Sequence, residues 1–344
     1  MRLTVLSVAF PLAPVTADPV GGAEQVLARL DRALVAAGHR SVVIAQEGSR
    51  VAGELVPVPA VAGPITDEDG ARVRGAVRAR IAEVVARERP DVIHLHGIDF
   101  DAYLPPPGPP GPPVLVTLHL PLDWYTPGAL ALDRPGTHLH PVSLAQAATA
   151  PAGLSLGEPI ENGVEVPPPA ARKRRYAVAL GRICPEKGFD DALDAARAAR
   201  VPFVMAGAVF PYPSHEAHFR EAILPRLDRR RRFVGAVAGR AKERLLGEAA
   251  CLLLPSKARE TSSLVAMEAL AAGTPVIAYP SGALPEIVEH GRTGFLVDGV
   301  GGLAAAIARA REIDPEACRS TVRERFSAGR MVDRYMRRYA ELAG

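Results

Sequence analysis

CLLLPSKARETSSLVAMEALAAGTPVIAYP, from Cys251 to Pro280, reads as strand, loop, helix, strand. Its two strands are short runs apolar on both faces, and the helix near Val265 to Ala272 keeps apolar residues at helical spacing between them. Strands of that kind joined by a helix belong to a parallel sheet covered on each side, so the fold class is α/β.

The same alternation extends both ways along the chain. GFLVD follows as a further strand after a helix near Pro285 to His290. Upstream, YAVALG, PFVMAG and RRFVGAV are strands, with helices from Phe189 to Ala199, Ser214 to Leu227 and Lys242 to Ala249. Near the start, LTVLSVAF is a strand, VGGAE a Gly-rich turn, EQVLARLDRALVAAG a helix stopped by Gly38, and SVVIAQ a strand. A helix from Ala71 to Glu88 precedes the strands DVIHLHG and VLVTLHLP, and a last helix runs from about Ser327 to Leu342. Residues 48–70 and 120–160 read as irregular.

A length of 344 residues favours two domains. VPPPAARKRR, Val166 to Arg175, has the prolines and exposed charge of a boundary, which gives domains 1–167 and 168–326, with 327–344 packing back on the first. PPPGPPGPP, Pro105 to Pro113, has few backbone donors and reads as a surface loop.

Composition narrows the class of function. Apolar residues at 48% and charged residues at 23% exclude a disordered chain, and no run of about 18 apolar residues offers a membrane-spanning helix. A net charge of +3 is too small to argue for a nucleic-acid partner. Pro11 and Pro14 break LTVLSVAFPLAP and no small-residue cleavage site follows, so a cytoplasmic enzyme is expected. Cys184, Cys251 and Cys318 are widely spaced, with no CxxC and no histidine at metal spacing, which argues against both a disulfide framework and a structural zinc. The basic runs Arg172 to Arg175 and Arg229 to Arg232 have no interleaved aromatics and read as a charged linker and a solvated helix end. Peripheral contact with anionic lipid is their less favoured alternative.

Neither GxGxxG after the first strand nor GxxxxGK[ST] is present, which lowers hydride-transfer and Walker-type readings. Gly21 and Gly22 open the first helix, where bare amides can face a phosphate, although a turn needing φ > 0 explains them equally well. Arg182 and Lys187 follow the strand YAVALG, at the carboxyl end where open α/β sheets bind ligands, and both could reach one diphosphate. Glu260 and Glu268 are eight positions apart, roughly 12 Å along an axis if the interval were all helix. That separation suits the two ends of an extended ligand better than one scissile bond. Amides at Ser263, Leu264 and Val265 would point at an anion between them. A carboxylate on hydroxyls, a phosphate on a helix start and a carboxylate on a ribose describe a nucleotide sugar. His94 and His96, read as facing opposite sides of their strand, offer no shared metal site.

These motifs, with GGAE, PDVIHLHG, VTLHLP, IENGVEV, GRICPEKG and GTPVIAYPSGALPEIVEHGRTGFLVD, make the chain resemble the retaining glycosyltransferases of family 4 over nearly its full length. The resemblance implies a GT-B fold, two Rossmann-like domains with parallel sheets facing across a cleft. It implies that Gly21 and Gly22 line the donor phosphates, that His119 lies beside the donor sugar, and that Arg182 and Lys187 clamp the diphosphate. Glu260 would hold sugar hydroxyls, Ser263, Leu264 and Val265 would give phosphate amides, Glu268 would bond the ribose, and Gly235, Ala236 and Val237 would hold the base. Thr261-Ser262-Ser263 replaces the family's usual Gly-Phe-Gly or Pro-Phe-Gly, a departure that bears on the choice of sugar.

The implied reaction is metal-independent transfer of a hexose-like unit from a UDP- or GDP-sugar to a hydroxyl acceptor in a natural product, glycan or lipid precursor, with retention and no cofactor. Its rivals are a nucleotide-sugar epimerase or phosphorylase on a similar frame, and a non-catalytic nucleotide-sugar-binding protein. The motifs specify neither acceptor nor oligomeric state.

Overall fold

The computed structural model describes residues 2–16, 21–61, 63, 65–106, 111–132, 134–169 and 172–344. Residues 107–110 of the proline-rich loop and 170–171 of the expected boundary lie outside these. The chain divides into two compact units, Met1–Asn162 with Gly329–Gly344, and Gly163–Ala328. The passage out of the first unit thus falls slightly before the proline-rich boundary stretch. Val164 and Ser327 form a parallel bridge inside the second unit: the Val164 N–H donates to the Phe326 carbonyl (2.9 Å) and the Ala328 N–H to the Val164 carbonyl (2.9 Å). Those bonds tie the residues just after Asn162 to the second unit.

The first unit holds strands β1 (Thr4–Val8), β2 (Arg40–Gln46), β3 (Glu54–Val58), β4 (Val92–Leu95), β5 (Val114–Leu118) and β6 (Thr137–Pro141), all parallel in the order β3-β2-β1-β4-β5-β6. Alternation along the strands splits the core in two. Leu6 and Val8 join Val73, Val77, Ile81 and Val84 of helix Asp67–Glu88, while Leu3 and Val5 join Val26, Leu30 and Leu34 of helix Gly22–Ala36. Met331, Tyr335 and Tyr339 of the closing helix, Ala328–Ala343, belong to that second layer.

Two strands fall in stretches expected to be irregular, β3 and β6, and both are sheet edges. An edge strand tolerates the proline of ELVPV and the polar THLHP because one side of its ladder needs no partner. A second correction concerns β4. Residues two apart on a strand share a face, so the rings of His94 and His96 lie together, with centroids 3.9 Å apart.

The second unit repeats the plan with β7 (Ala177–Leu180), β8 (Phe203–Ala206), β9 (Arg231–Phe233), β10 (Cys251–Leu254), β11 (Val276–Ala278) and β12 (Gly294–Leu296), parallel in the order β12-β11-β10-β7-β8-β9. The chain runs outward from β7 to β9, crosses back to β10 and runs outward again. The junction of β7 and β10 is therefore a topological switch point, where such sheets open a crevice at their carboxyl ends.

Candidate active site

At that switch point two loops are sewn together. Lys187 ends the turn Pro185–Lys187 after β7, and Glu260 lies in the loop after β10. The Lys257 N–H and the Ser256 hydroxyl both donate to the Glu186 carbonyl, at 2.8 and 3.3 Å. Gly188, at φ +62°, presses so closely on the Pro255 carbonyl that no side chain fits there. The Lys187 ammonium is thereby brought to 2.5 Å from Glu260 Oε1, with the carboxylate side chain only 12% exposed.

The main chain of Glu260 is fixed from the other side. Its carbonyl accepts from the Ala283 N–H at 2.7 Å, and the Ser281 hydroxyl donates to the Ala258 carbonyl at 2.6 Å. Gly282, at φ +55°, lies against the Glu260 backbone where any Cβ would collide. The sequence alone gave Gly282, Ser281 and Ala283 no role.

Glu260 precedes the helix Leu264–Ala271, and Glu268 lies within it. Ser263 caps it, its hydroxyl accepting from the Ala266 N–H at 3.4 Å. Leu264 and Val265 occupy the first turn, where amides have no acceptor within the helix. The Ser262 hydroxyl beside them is buried without a hydrogen-bond partner among the described residues. Glu268 accepts from Lys242 at 3.0 Å, both side chains 13% exposed. Lys242 comes from helix Gly239–Glu248, and only the folded chain reveals it as the partner of Glu268.

Glycines let the carboxyl ends of β7, β8 and β9 approach. The Gly207 N–H donates to the Gly235 carbonyl at 2.8 Å, and Gly207 packs on the Gly181 carbonyl. Gly235 adopts φ +74°, Ala236 is exposed and Val237 half-buried. Arg182 leaves the β7 loop with its guanidinium over the Phe210 ring, 5.9 Å from the centroid.

In the first unit Gly21 caps helix Gly22–Ala36 in an extended conformation, φ −82°, so it does not need positive φ. Its hydrogen matters instead: a Cβ there would strike the Glu24 carboxylate, which folds back toward the helix start. Burial raises the Glu24 pKa, with its own backbone amide opposing in part.

The carboxyl ends of β4 and β5 carry a histidine network. His96 Nδ1 and His119 Nε2 lie 3.0 Å apart, so one ring donates and the other accepts. Burial holds His119 down at about 3 and His96 far below its ordinary value, leaving both imidazoles neutral at physiological pH. Behind them His94 bonds the Tyr339 hydroxyl (2.7 Å) and the Thr117 hydroxyl (2.7 Å), and Thr117 bonds the Tyr335 hydroxyl (3.0 Å). His96, on the same face as His94, is the partner of His119, and their rings stack with centroids 5.3 Å apart.

Two parallel α/β units of this topology define the GT-B class. Sucrose-phosphate synthase from Thermosynechococcus elongatus superposes with a TM-score of 0.79 at 20% identity, covering 98% of this chain and 99% of that one. The HepE protein of Anabaena, solved in complex with UDP-glucose, gives 0.75 at 18% identity over 99% and 100%. The family model for glycosyl transferases group 1 matches residues 174–312, and that for glycosyltransferase family 4 matches residues 20–151. The chain belongs to the family-4-type glycosyltransferases. A D-inositol 3-phosphate glycosyltransferase of Streptomyces scabiei (strain 87.22) is 57% identical over 51 residues, which are 15% of this chain and 11% of that relative. The chain thus spans only a small part of the length of that curated relative.

Proposed function

We propose that the protein is a glycosyltransferase that takes a sugar from a nucleotide diphosphate and passes it, with retention, to a hydroxyl acceptor. The observation that carries the reading is the Lys187–Glu260 pair, seated at the β7/β10 switch point beside a capped helix start. The donor replaces that pair: its diphosphate takes Lys187, Arg182 and the amides of Ser263, Leu264 and Val265, and its sugar hydroxyls take Glu260. The buried Ser262 hydroxyl, without a partner among the described residues, supports a polar ligand here, since leaving such a group unsatisfied costs about 1–3 kcal/mol. Glu268, oriented by Lys242, takes the ribose, while Gly235, Ala236 and Val237 receive the base. HepE, solved with UDP-glucose, makes a UDP-sugar the first donor to test and a GDP-sugar the second.

Chemistry follows from where charge grows. As the glycosidic bond to the diphosphate breaks, negative charge builds on the leaving oxygens, and preorganised cations and amides stabilise it without reorganising. The acceptor hydroxyl attacks from the face the diphosphate leaves and passes its proton to the departing phosphate oxygen, which retains configuration. His119, assigned to the donor sugar, is a neutral hydrogen-bonding group rather than a charge. No step of this scheme calls for a metal.

A thermal-shift panel of UDP-, GDP- and ADP-sugars tests it, followed by NMR of the product. Expected are stabilisation by one donor class, retained anomeric configuration, and loss of turnover by about 100-fold or more in Glu260→Ala and in Lys187→Ala. Indifference to every nucleotide diphosphate would sink the proposal, and an epimerised donor would favour the epimerase.

A further inference from the structure

The turn that carries Arg182 and Lys187 meets helix Pro213–His218 at a cluster that sequence spacing hides. Cys184 Sγ, a carboxylate oxygen of Glu186 and a ring nitrogen of His215 all lie within 4.8 Å of one another. Cys184 is fully buried, His215 is 8% exposed and Glu186 opens to solvent. The His215 ring rests edge-on against Tyr212, with centroids 5.0 Å apart, and its buried Nδ1 has no hydrogen-bond partner among the described residues. An imidazole so placed forfeits its hydrogen bond unless something else binds it.

We propose that Cys184, Glu186 and His215 bind a zinc ion, with water in the fourth position. One thiolate, one imidazole and one carboxylate form a donor set suited to Zn²⁺, whereas Mg²⁺ and Ca²⁺ favour all-oxygen sites. Tetrahedral Zn–S and Zn–N bonds of about 2.3 and 2.0 Å place ligand atoms roughly 3.5 Å apart, so the cluster contracts on binding. Glu186, the exposed member, has the freedom to supply that movement. Binding breaks the Sγ–H bond, forms Sγ–Zn and releases the proton to solvent.

The ion's role is positional. It joins the β7 turn to helix Pro213–His218 and so stiffens the segment between Arg182 and Lys187, and no bond of the transfer reaction passes through it. The site stands whether or not the donor reading does, because its test reads metal and not sugar.

The test uses the full chain, stripped with EDTA and titrated with Zn²⁺ alone against a chromophoric chelator, then with Co²⁺. Expected are one zinc per chain, a rise in Tm on loading, and a thiolate-to-cobalt charge-transfer band. Cys184→Ser should abolish the band, and both Cys184→Ser and His215→Gln should weaken zinc binding by about 100-fold or more, whereas Cys251→Ser and Cys318→Ser keep it. A stripped chain that takes up no zinc, or a cobalt band that survives Cys184→Ser, would overturn the site. If the buried variants do not fold, Glu186→Gln on the exposed member decides: weakened zinc binding supports the site and unchanged binding refutes it.

Discussion

Gly282 shows how much one missing side chain can hold. Its left-handed φ of +55° and its contact with the Glu260 main chain act together, so Gly282→Ala must either twist its own backbone or push Glu260 away from Lys187. A loss of about 2–4 kcal/mol is expected in urea unfolding. Gly235 is the control, with φ +74° and nothing within 4 Å of a Cβ, so Gly235→Ala should cost only the left-handed penalty of about 1–2 kcal/mol. Equal losses at the two positions would show that the contact with Glu260 contributes nothing. Lys242→Ala should leave the Glu268 carboxylate without the ammonium that orients it, weakening donor binding more than it slows turnover, as a KM-against-kcat split will read. Lys187 and Glu260 can be singled out as candidates from sequence because each follows a strand end, which has a local signal. Lys242 and His215 did not, because what each one meets is set by helix packing across tens of residues, for which no local spacing exists.

At the scale of elements, the closing helix is a structural part of the first sheet's own layer. Tyr335 and Tyr339 are fully buried, and their hydroxyls complete the chain through His94 and Thr117. Tyr339→Phe leaves His94 Nδ1 without that partner in a dry core and should destabilise by about 1–3 kcal/mol. Residues 1–162 made alone should stay unfolded by circular dichroism until a peptide of residues 329–344 is added; a folded fragment without it would contradict that dependence. Of the twelve strands among the described residues, ten were readable because central parallel strands are continuously apolar. β3 and β6 were not, since an edge relaxes the very demand that makes a strand visible. The two-residue period of a strand places His94 and His96 on one face, against the opposite faces expected, and the contact of His96 with His119 follows from that shared face.

For the whole molecule, acid should act first on the first unit. Burial depresses His119 to about 3 and His140 to about 4, and pushes His94 and His96 down as well, against about 6.5 in the unfolded chain. The unfolded chain therefore binds more protons as pH falls below 6.5, and the stability held above that value is lost on the way toward the folded values. Between pH 7 and pH 5 each such histidine costs about 2 kcal/mol. Trp124 is the single tryptophan and lies in this unit, so its fluorescence reports the transition. Its urea midpoint should drop over that range, and a midpoint indifferent to pH would rule out neutral burial of these rings.

The second unit is an insertion within the first, since chain from both sides of Gly163–Ala328 belongs to one body. During translation the ribosome must therefore finish all of the inserted unit before Tyr335 and Tyr339 emerge to cover His94 and Thr117. Until then the nascent first unit stays unfolded, dependent on chaperones or on speed to keep its apolar segments from aggregating.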